Sequence, residues 1–207
     1  MAELSSLPQK TIHGDLQGSS LPHISSGHLL IEGNVSGAKV EIEGNIVIMG
    51  NCAQSSIQSH RGTIFMLYGS SQENHLLAKQ NIFLKYCTHS KVEAGEKIVI
   101  ETDILNSELC AGTSLCSEHP EGKIFGGKVQ AKESIFIPIV GNEKTSTFLE
   151  VEEKRGIIEA RQFSSLVEIK MGGCRLQLRE AILGGKISFS QGKLWIEREE
   201  GKLDPLL

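Results

Sequence analysis

Few residues in this chain have the types and spacing that chemistry requires. Gly122-Lys-Ile-Phe-Gly-Gly127-Lys128 fits GxxxxGK, the loop whose backbone N–H groups surround a phosphate while its lysine reaches the charge. The next residue is Val129, where that motif needs Ser or Thr to hold Mg²⁺. The run that follows, Val129-Gln-Ala131-Lys-Glu-Ser-Ile135, reads as strand and corner, with no helix whose N-terminus could take a phosphate. A strand corner is therefore the better reading than a nucleotide site. Cys110, Cys116 and His119 are close in sequence, and Cys87-x-His89 places a thiol and an imidazole on one side of a strand. Zinc needs four converging ligands, commonly with a CxxC pair, and no such pair occurs. Cysteines serving as small apolar interior residues fit this scatter better. The expectation is no catalytic residue, no cofactor site and no metal site.

What dominates the chain is a repeat. In register, Gly27-His-Leu29-Leu-Ile31-Glu-Gly33-Asn-Val35 is followed by Ala38-Lys-Val40-Glu-Ile42, and Gly44-Asn-Ile46-Val-Ile48-Met-Gly50-Asn-Cys52 by Ser55-Ser-Ile57-Gln-Ser59. One apolar slot runs Leu29, Ile46, Ile64, Ile82, Ile98, in steps of 17, 18, 18 and 16. A second runs Val40, Ile57, Leu76, Val92, Leu109, and a third Ile42, Ser59, Ala78, Ala94, Ala111, Ala131. A period of about 17–18 residues is too short for helical repeats of roughly 33 to 47 and suits one coil of a parallel β-helix. Strand side chains alternate, so Leu29 with Ile31 and Ile46 with Ile48 point into one narrow tube, and equivalent residues stack about 4.8 Å apart. Gly27, Gly33, Gly44, Gly50, Gly62, Gly69 and Gly95 mark corners that need positive φ or close backbone approach. Only 5% of residues are aromatic, as a thin core requires.

The fold class expected is all-β: a right-handed parallel β-helix of about 17–18 residues per coil, followed by C-terminal antiparallel hairpins. Residues 1–26 read as a lead-in or cap, 27–151 as the solenoid, and 152–207 as a short linker followed by hairpins. Glu118-His119-Pro120-Glu121-Gly122 reads as a loop in a stretched coil, and Glu150 to Gln162 as a short helix interrupted at Gly156. Gly172-Gly173 between Leu166–Met171 and Cys174–Leu178, and Gln191-Gly192 between Lys186–Phe189 and Lys193–Glu197, are hairpin turns. Ile46, Ile48, Ile64, Ile82, Ile98, Ile100, Val40, Ile57 and Val92 should be buried.

Composition narrows the function classes. The net charge is −4 and no Lys/Arg cluster occurs, so there is no electrostatic footprint for nucleic acid. The longest apolar run, Ile135-Phe-Ile-Pro-Ile-Val140, is broken by Pro138 and falls well short of the roughly 18 residues of a membrane span. Met1 to Pro8 lacks the basic and apolar regions of a signal peptide. Five scattered cysteines favour reduced thiols and a cytoplasmic location. A left-handed acyltransferase solenoid needs an aliphatic residue every six positions and a catalytic histidine, whereas the seven histidines here are spread along the chain. A pectate-lyase-like enzyme needs clustered aspartates, and Asp15, Asp103 and Asp204 stand apart.

Three segments carry a family resemblance: Gly27 to Gly50; Val92-Glu-Ala-Gly-Glu-Lys-Ile-Val-Ile with Asp103-Ile-Leu-Asn-Ser107 and Leu109-Cys-Ala-Gly112; and Gly122 to Ala131 with Ile139-Val-Gly141 and Phe148-Leu-Glu-Val151. Over roughly residues 20–151 the chain resembles the β-helical core of the flagellar assembly protein A family. The resemblance implies a bacterial, cytoplasmic, non-enzymatic protein of flagellar assembly or cell-envelope organisation, with an architecture like the polymer-forming bactofilins and no catalytic residue. Family members usually carry a sizeable N-terminal domain and a long coiled coil. Here residues 1–26 and Glu152 to Ser165 stand in their places, so no role of those parts carries over. A second reading is a regulator like the β-helical domain of the septum-site protein MinC, which binds an ATPase partner, although its Arg-Gly-rich segment is missing. A third is a structural solenoid module of an enzyme complex. An open coil end invites pairing, so a homo-oligomer joined through a lateral face is expected, together with a cytoplasmic or envelope-associated protein partner.

Overall fold

The computed structural model describes residues 10–18, 24, 26–198 and 203–206. The described residues form strands joined by tight corners, stacked as a parallel β-solenoid of about nine turns with no helix. Each coil has three sides. The first side stacks Lys10–Ile12, Leu29–Ile31, Ile46–Ile48, Ile64–Met66, Ile82–Leu84, Lys97–Ile100, Ser114–Ser117, Ser134–Phe136 and Ile157–Phe163, all parallel. The second side is short, starting from Leu16–Gln17 and Val35–Ser36. The third begins with Lys39–Ile42 and Ser56–Ser59. In Asp103–Ala111 and Lys123–Ala131 the second and third sides merge into one nine-residue strand.

The three apolar slots of the sequence are the three-dimensional ladders. Leu29, Ile46, Ile64, Ile82 and Ile98 are successive strand partners, and the ladder continues to Leu115, Ile135 and Ile158. All nine residues expected in the core are fully buried. A fourth ladder, which the sequence reading did not extract, fills the second side: Leu16, Val35, Cys52, Ser70, Cys87, Ile104, Ile124, Val140, Phe163. Its strands are two residues long in the early coils, too short for alternation to show. The tube is too narrow for rings: of seven phenylalanines only Phe163 is buried.

The corners divide into two physical types. Between the third and first sides the coils approach so closely that a Cβ on Gly44 would strike the carbonyl of Gly27, and one on Gly112 that of Gly95. Of the seven corner glycines singled out in the sequence, only Gly27 has positive φ, so close approach is the commoner reason. Between the second and third sides the chain turns through left-handed backbone. Gly18, Gly37 and Gly126 do so freely, whereas Gln54, Gln72, His89 and Asn106 are held at φ between 46° and 61°.

At that second corner lies a buried polar spine. Asn74 is its centre, 2% exposed. Its Nδ2 donates to the carbonyls of Cys52 (2.9 Å) and Ser71 (2.6 Å) and to Ser70 Oγ (3.0 Å). Its Oδ1 accepts the Ser55 N–H at 2.9 Å and the Cys52 thiol at 3.3 Å. Neighbouring coils repeat the device: Ser55 Oγ accepts the Ala38 N–H, Ser107 Oγ that of Ser90, and Thr147 Oγ1 that of Gly126. Strand-to-strand pairing leaves these corner amides unmade, and a short polar side chain from the next coil satisfies each one.

Two expectations change. Lys10–Ile12 and Leu16–Gln17, assigned to the lead-in, lie in parallel register on Leu29–Ile31 and Val35–Ser36, so coil geometry begins earlier than the glycine pattern shows. The capping role expected for the rest of residues 1–26 falls mostly outside the described residues. The helix expected over Glu150 to Gln162 is instead the end of strand Thr147–Val151, a turn, and strand Ile157–Phe163. Its apolar residues are stacked on the preceding coil, with Val151 on Ala131 and Ile158 on Ile135, so tertiary pairing overrides a helix-compatible charge pattern.

Both hairpins form at their predicted turns and close the last coil. Cys174–Gln177 runs antiparallel to Val167–Met171, and Ile182–Ser190 antiparallel to Ile157–Phe163, followed by Lys193–Glu197 and Leu203–Pro205. Antiparallel strands thus satisfy an edge that would otherwise present free N–H and C=O groups, and Pro205 blunts the final one.

Candidate functional site

Each site the sequence offered is used by the solenoid itself. In the GxxxxGK segment the Gly126 N–H donates to Thr147 Oγ1 at 2.9 Å, and Gly127 pairs with Ser107 and Thr147 in the sheet. A Cβ on Gly127 would strike the backbone of Ser107, which accounts for the glycine. Lys128 extends over the Phe148 ring, 5.5 Å from its centroid.

The thiols are dispersed over different sides. Cys52 and Cys87 are fully buried in the second-side ladder, and burial pushes their pKa from 9.0 up to about 12 and about 11. Near neutral pH the raised values keep both in the thiol form, and the thiolate is the nucleophile. Cys110 is exposed on the third side, while Cys116 is half-buried on the first. His89 occupies a left-handed corner, outside the tube that holds Cys87, and His119 Nδ1 accepts the Glu121 N–H at 3.1 Å within its own turn. Among the described residues no group of three or more His, Cys, Asp or Glu side chains could hold a metal.

The three outer faces differ sharply in chemistry. The third is charged and internally paired. Lys39 meets Glu41 at 2.8 Å, Lys91 meets Glu93 at 2.7 Å with His75 at 3.3 Å, and Lys170 meets Glu150 at 2.6 Å. The hydrogen bond from Lys91 keeps the Glu93 carboxyl below its ordinary range. Burial acts to raise Glu150, but hydrogen bonds from Lys170 and Gln130 outweigh it and leave that pKa lowered. The second face carries mainly small side chains, Ser36, Ala53, Ser71 and Thr88, before Leu105 and Phe125.

The first face is apolar along its midline. Its outward row runs Thr11, Leu30, Val47, Phe65, Phe83, Val99, Cys116, Phe136, Glu159, each the strand partner of the next. Seven consecutive positions, Leu30 to Phe136, carry no charge. Phe65 and Phe83 stack with centroids 5.0 Å apart and ring planes 4° from parallel. Beside the row, Met49, Leu67 and Tyr68 are 41%, 58% and 51% exposed. This face is the feature that sequence reasoning missed. Its signal was present: between the inward pairs, where a solvated strand places polar residues, the repeat has Leu, Val, Phe, Phe, Val, Cys and Phe.

Residues 12–168 match the family model of the flagellar assembly protein A β-solenoid domain. The chain belongs to the flagellar assembly protein A family. The matched span extends from the first described coil to the strand Val167–Met171, covering nearly the whole stack. No curated protein and no solved structure matches the chain closely enough to add a relative. The solenoid is thus related to flagellar assembly, and no described helix is long and apolar enough to cross a membrane.

Proposed function

We propose that this protein is a non-enzymatic β-solenoid scaffold of the bacterial cytoplasm. It would act in flagellar assembly or cell-envelope organisation by associating with itself and with protein partners, as the bactofilin-like architecture of its family suggests. The observation that carries this reading is the uncharged ladder from Leu30 to Phe136, displayed on the outside of a tube whose interior is filled by aliphatic side chains. Apolar surface that is contiguous over several coils is characteristic of protein contact, and isolated exposed apolar residues are not. The buried thiols and the closed Gly126–Gly127 segment support a role without catalysis or cofactor.

The test is deletion in the native host followed by complementation. The wild-type chain should restore flagellation or envelope shape, and a chain carrying Phe65→Glu and Phe83→Glu should not, although both accumulate equally. Full complementation by the charged variant would refute the ladder as the working surface. Capture from host lysate should recover the same protein partner repeatedly with wild type, and the MinC-like reading gains only if that partner is an ATPase.

A further inference from the structure

We infer that the first face is the seat of a second copy of this chain, laid against it with the two solenoid axes parallel and a two-fold axis running along them. The inference rests on the scaffold reading and assigns it a surface, an occupant and an orientation.

Size is the first argument. Seven coils at about 4.8 Å and five to six residues of strand at about 3.3 Å give roughly 29 Å by 17 Å, so two copies would bury on the order of 1,000 Å². That reaches the lower limit of specific interfaces and predicts association at micromolar concentration. Two flat sheet faces pack well, because outward side chains of one interdigitate with those of the other.

Charge selects the occupant and its direction. The third face has its ions paired among themselves, whereas along the first face the charges lie in the two rows that flank the apolar midline. The row preceding each strand centre reads His28, Asn45, Thr63, Asn81, Lys97, Ser114, Ser134; the row following reads Glu32, Met49, Leu67, Lys85, Glu101, Glu118, Pro138. With axes parallel, strands of the two copies run in opposite directions, so each preceding row meets the other copy's following row. Lys97 then faces Glu101, His28 faces Glu32, which His13 already holds at 2.8 Å within the chain, and no like charges meet. Every midline residue faces its own counterpart, Phe65 on Phe65 and Phe83 on Phe83. With axes antiparallel, following rows meet each other in reversed coil order. Lys85 would face its own counterpart, and Glu101 and Glu118 would lie against Leu67 and Met49. Complementarity therefore favours the parallel pair. At the ends of the midline Thr11 and Glu159 stop the apolar row, which confines the contact to the coils between.

Sedimentation of the intact chain from sub-micromolar to about 100 µM tests this, in the micromolar window its area predicts. The expected result is a reversible shift from 22.6 kDa to twice that mass. Phe83→Glu should weaken association at least tenfold, while Gln58→Glu on the third face should leave it unchanged, with circular dichroism confirming both folds. Orientation is read from a charge cycle: Lys97→Glu should weaken the dimer, and adding Glu101→Lys should restore it. Failure of the second change to rescue the first would overturn the parallel arrangement. A dimer indifferent to Phe83→Glu would overturn the face while leaving the scaffold reading intact. A chain that stays monomeric, yet loses a host protein partner on Phe83→Glu, would assign the face to that other protein and overturn the second-copy occupant.

Discussion

Replacing Asn74 with Ala probes the polar spine most directly. The side chain provides the Ser55 N–H with its acceptor and donates to the carbonyls of Cys52 and Ser71 and to Ser70 Oγ. Alanine leaves the buried Ser55 amide without a partner, at about 1–3 kcal/mol, and removes two further net hydrogen bonds of about 1 kcal/mol each. The total is about 3–5 kcal/mol, a large share of the roughly 5–15 kcal/mol typical of a whole domain. Urea unfolding followed by far-ultraviolet circular dichroism measures it, and hydrogen exchange at the Ser55 amide localises it. Because solenoid coils can unfold in sections, the exchange measurement decides whether the loss begins at this coil. Asn74→Asp gives a second signature. A carboxylate there would face three acceptors, so its pKa in the folded state must rise above the unfolded value. Stability is then present below that unfolded value, about 4, and lost as pH rises through the folded one. The Asp variant should therefore be more stable, relative to wild type, at pH 4 than at pH 7. An Ala variant costing under about 1 kcal/mol, or an Asp variant with no such pH dependence, would refute the hub assigned to Asn74.

Three other outcomes follow from the same geometry. Gly44→Ala should destabilise by about 2 kcal/mol or more in urea, because its Cβ would meet the Gly27 carbonyl and only separation of two coils relieves the clash. Gln54→Gly should instead stabilise by about 0.5–1 kcal/mol in the same assay, since its φ of 50° strains any side chain with a Cβ. Cys52 and Cys87, with folded pKa values raised to about 12 and about 11 from 9.0, contribute stability that is complete below pH 9 and lost as pH rises through those values. Alkaline unfolding of wild type should therefore be steeper between pH 9 and 12 than that of a Cys52→Ala, Cys87→Ala variant, and maleimide should label exposed Cys110 while sparing both buried thiols in the folded protein.

Much of this molecule is legible in one dimension because a β-solenoid repeats in space what it repeats in sequence. Leu29, Ile46, Ile64, Ile82 and Ile98 are spaced by one coil, so a sequence ladder and a structural ladder are the same object. The hairpins at Gly172-Gly173 and Gln191-Gly192 were equally readable, since a two-residue turn between alternating runs is a local device.

What stayed hidden depended on neighbours from other coils. The stretch from Glu150 to Gln162 has helix-compatible charges, and only the waiting edge of the preceding coil made it two strands. Asn74 is unremarkable in sequence; three of its five contacts come from Cys52 and Ser55, brought beneath it by the turn of the solenoid, and the other two from nearby Ser70 and Ser71. The outward row from Leu30 to Phe136 consists of single residues 16–20 positions apart, each trivial in its own strand. Sequence by itself determined the period and the inward ladders, because one coil in space is one repeat along the chain, and three segments carried the resemblance to the family that the match over residues 12–168 shows. Only the tertiary structure decided how polar corner groups are satisfied and which face is charged, paired or apolar, because hydrogen bonding and exposure are properties of stacked coils and of no single one.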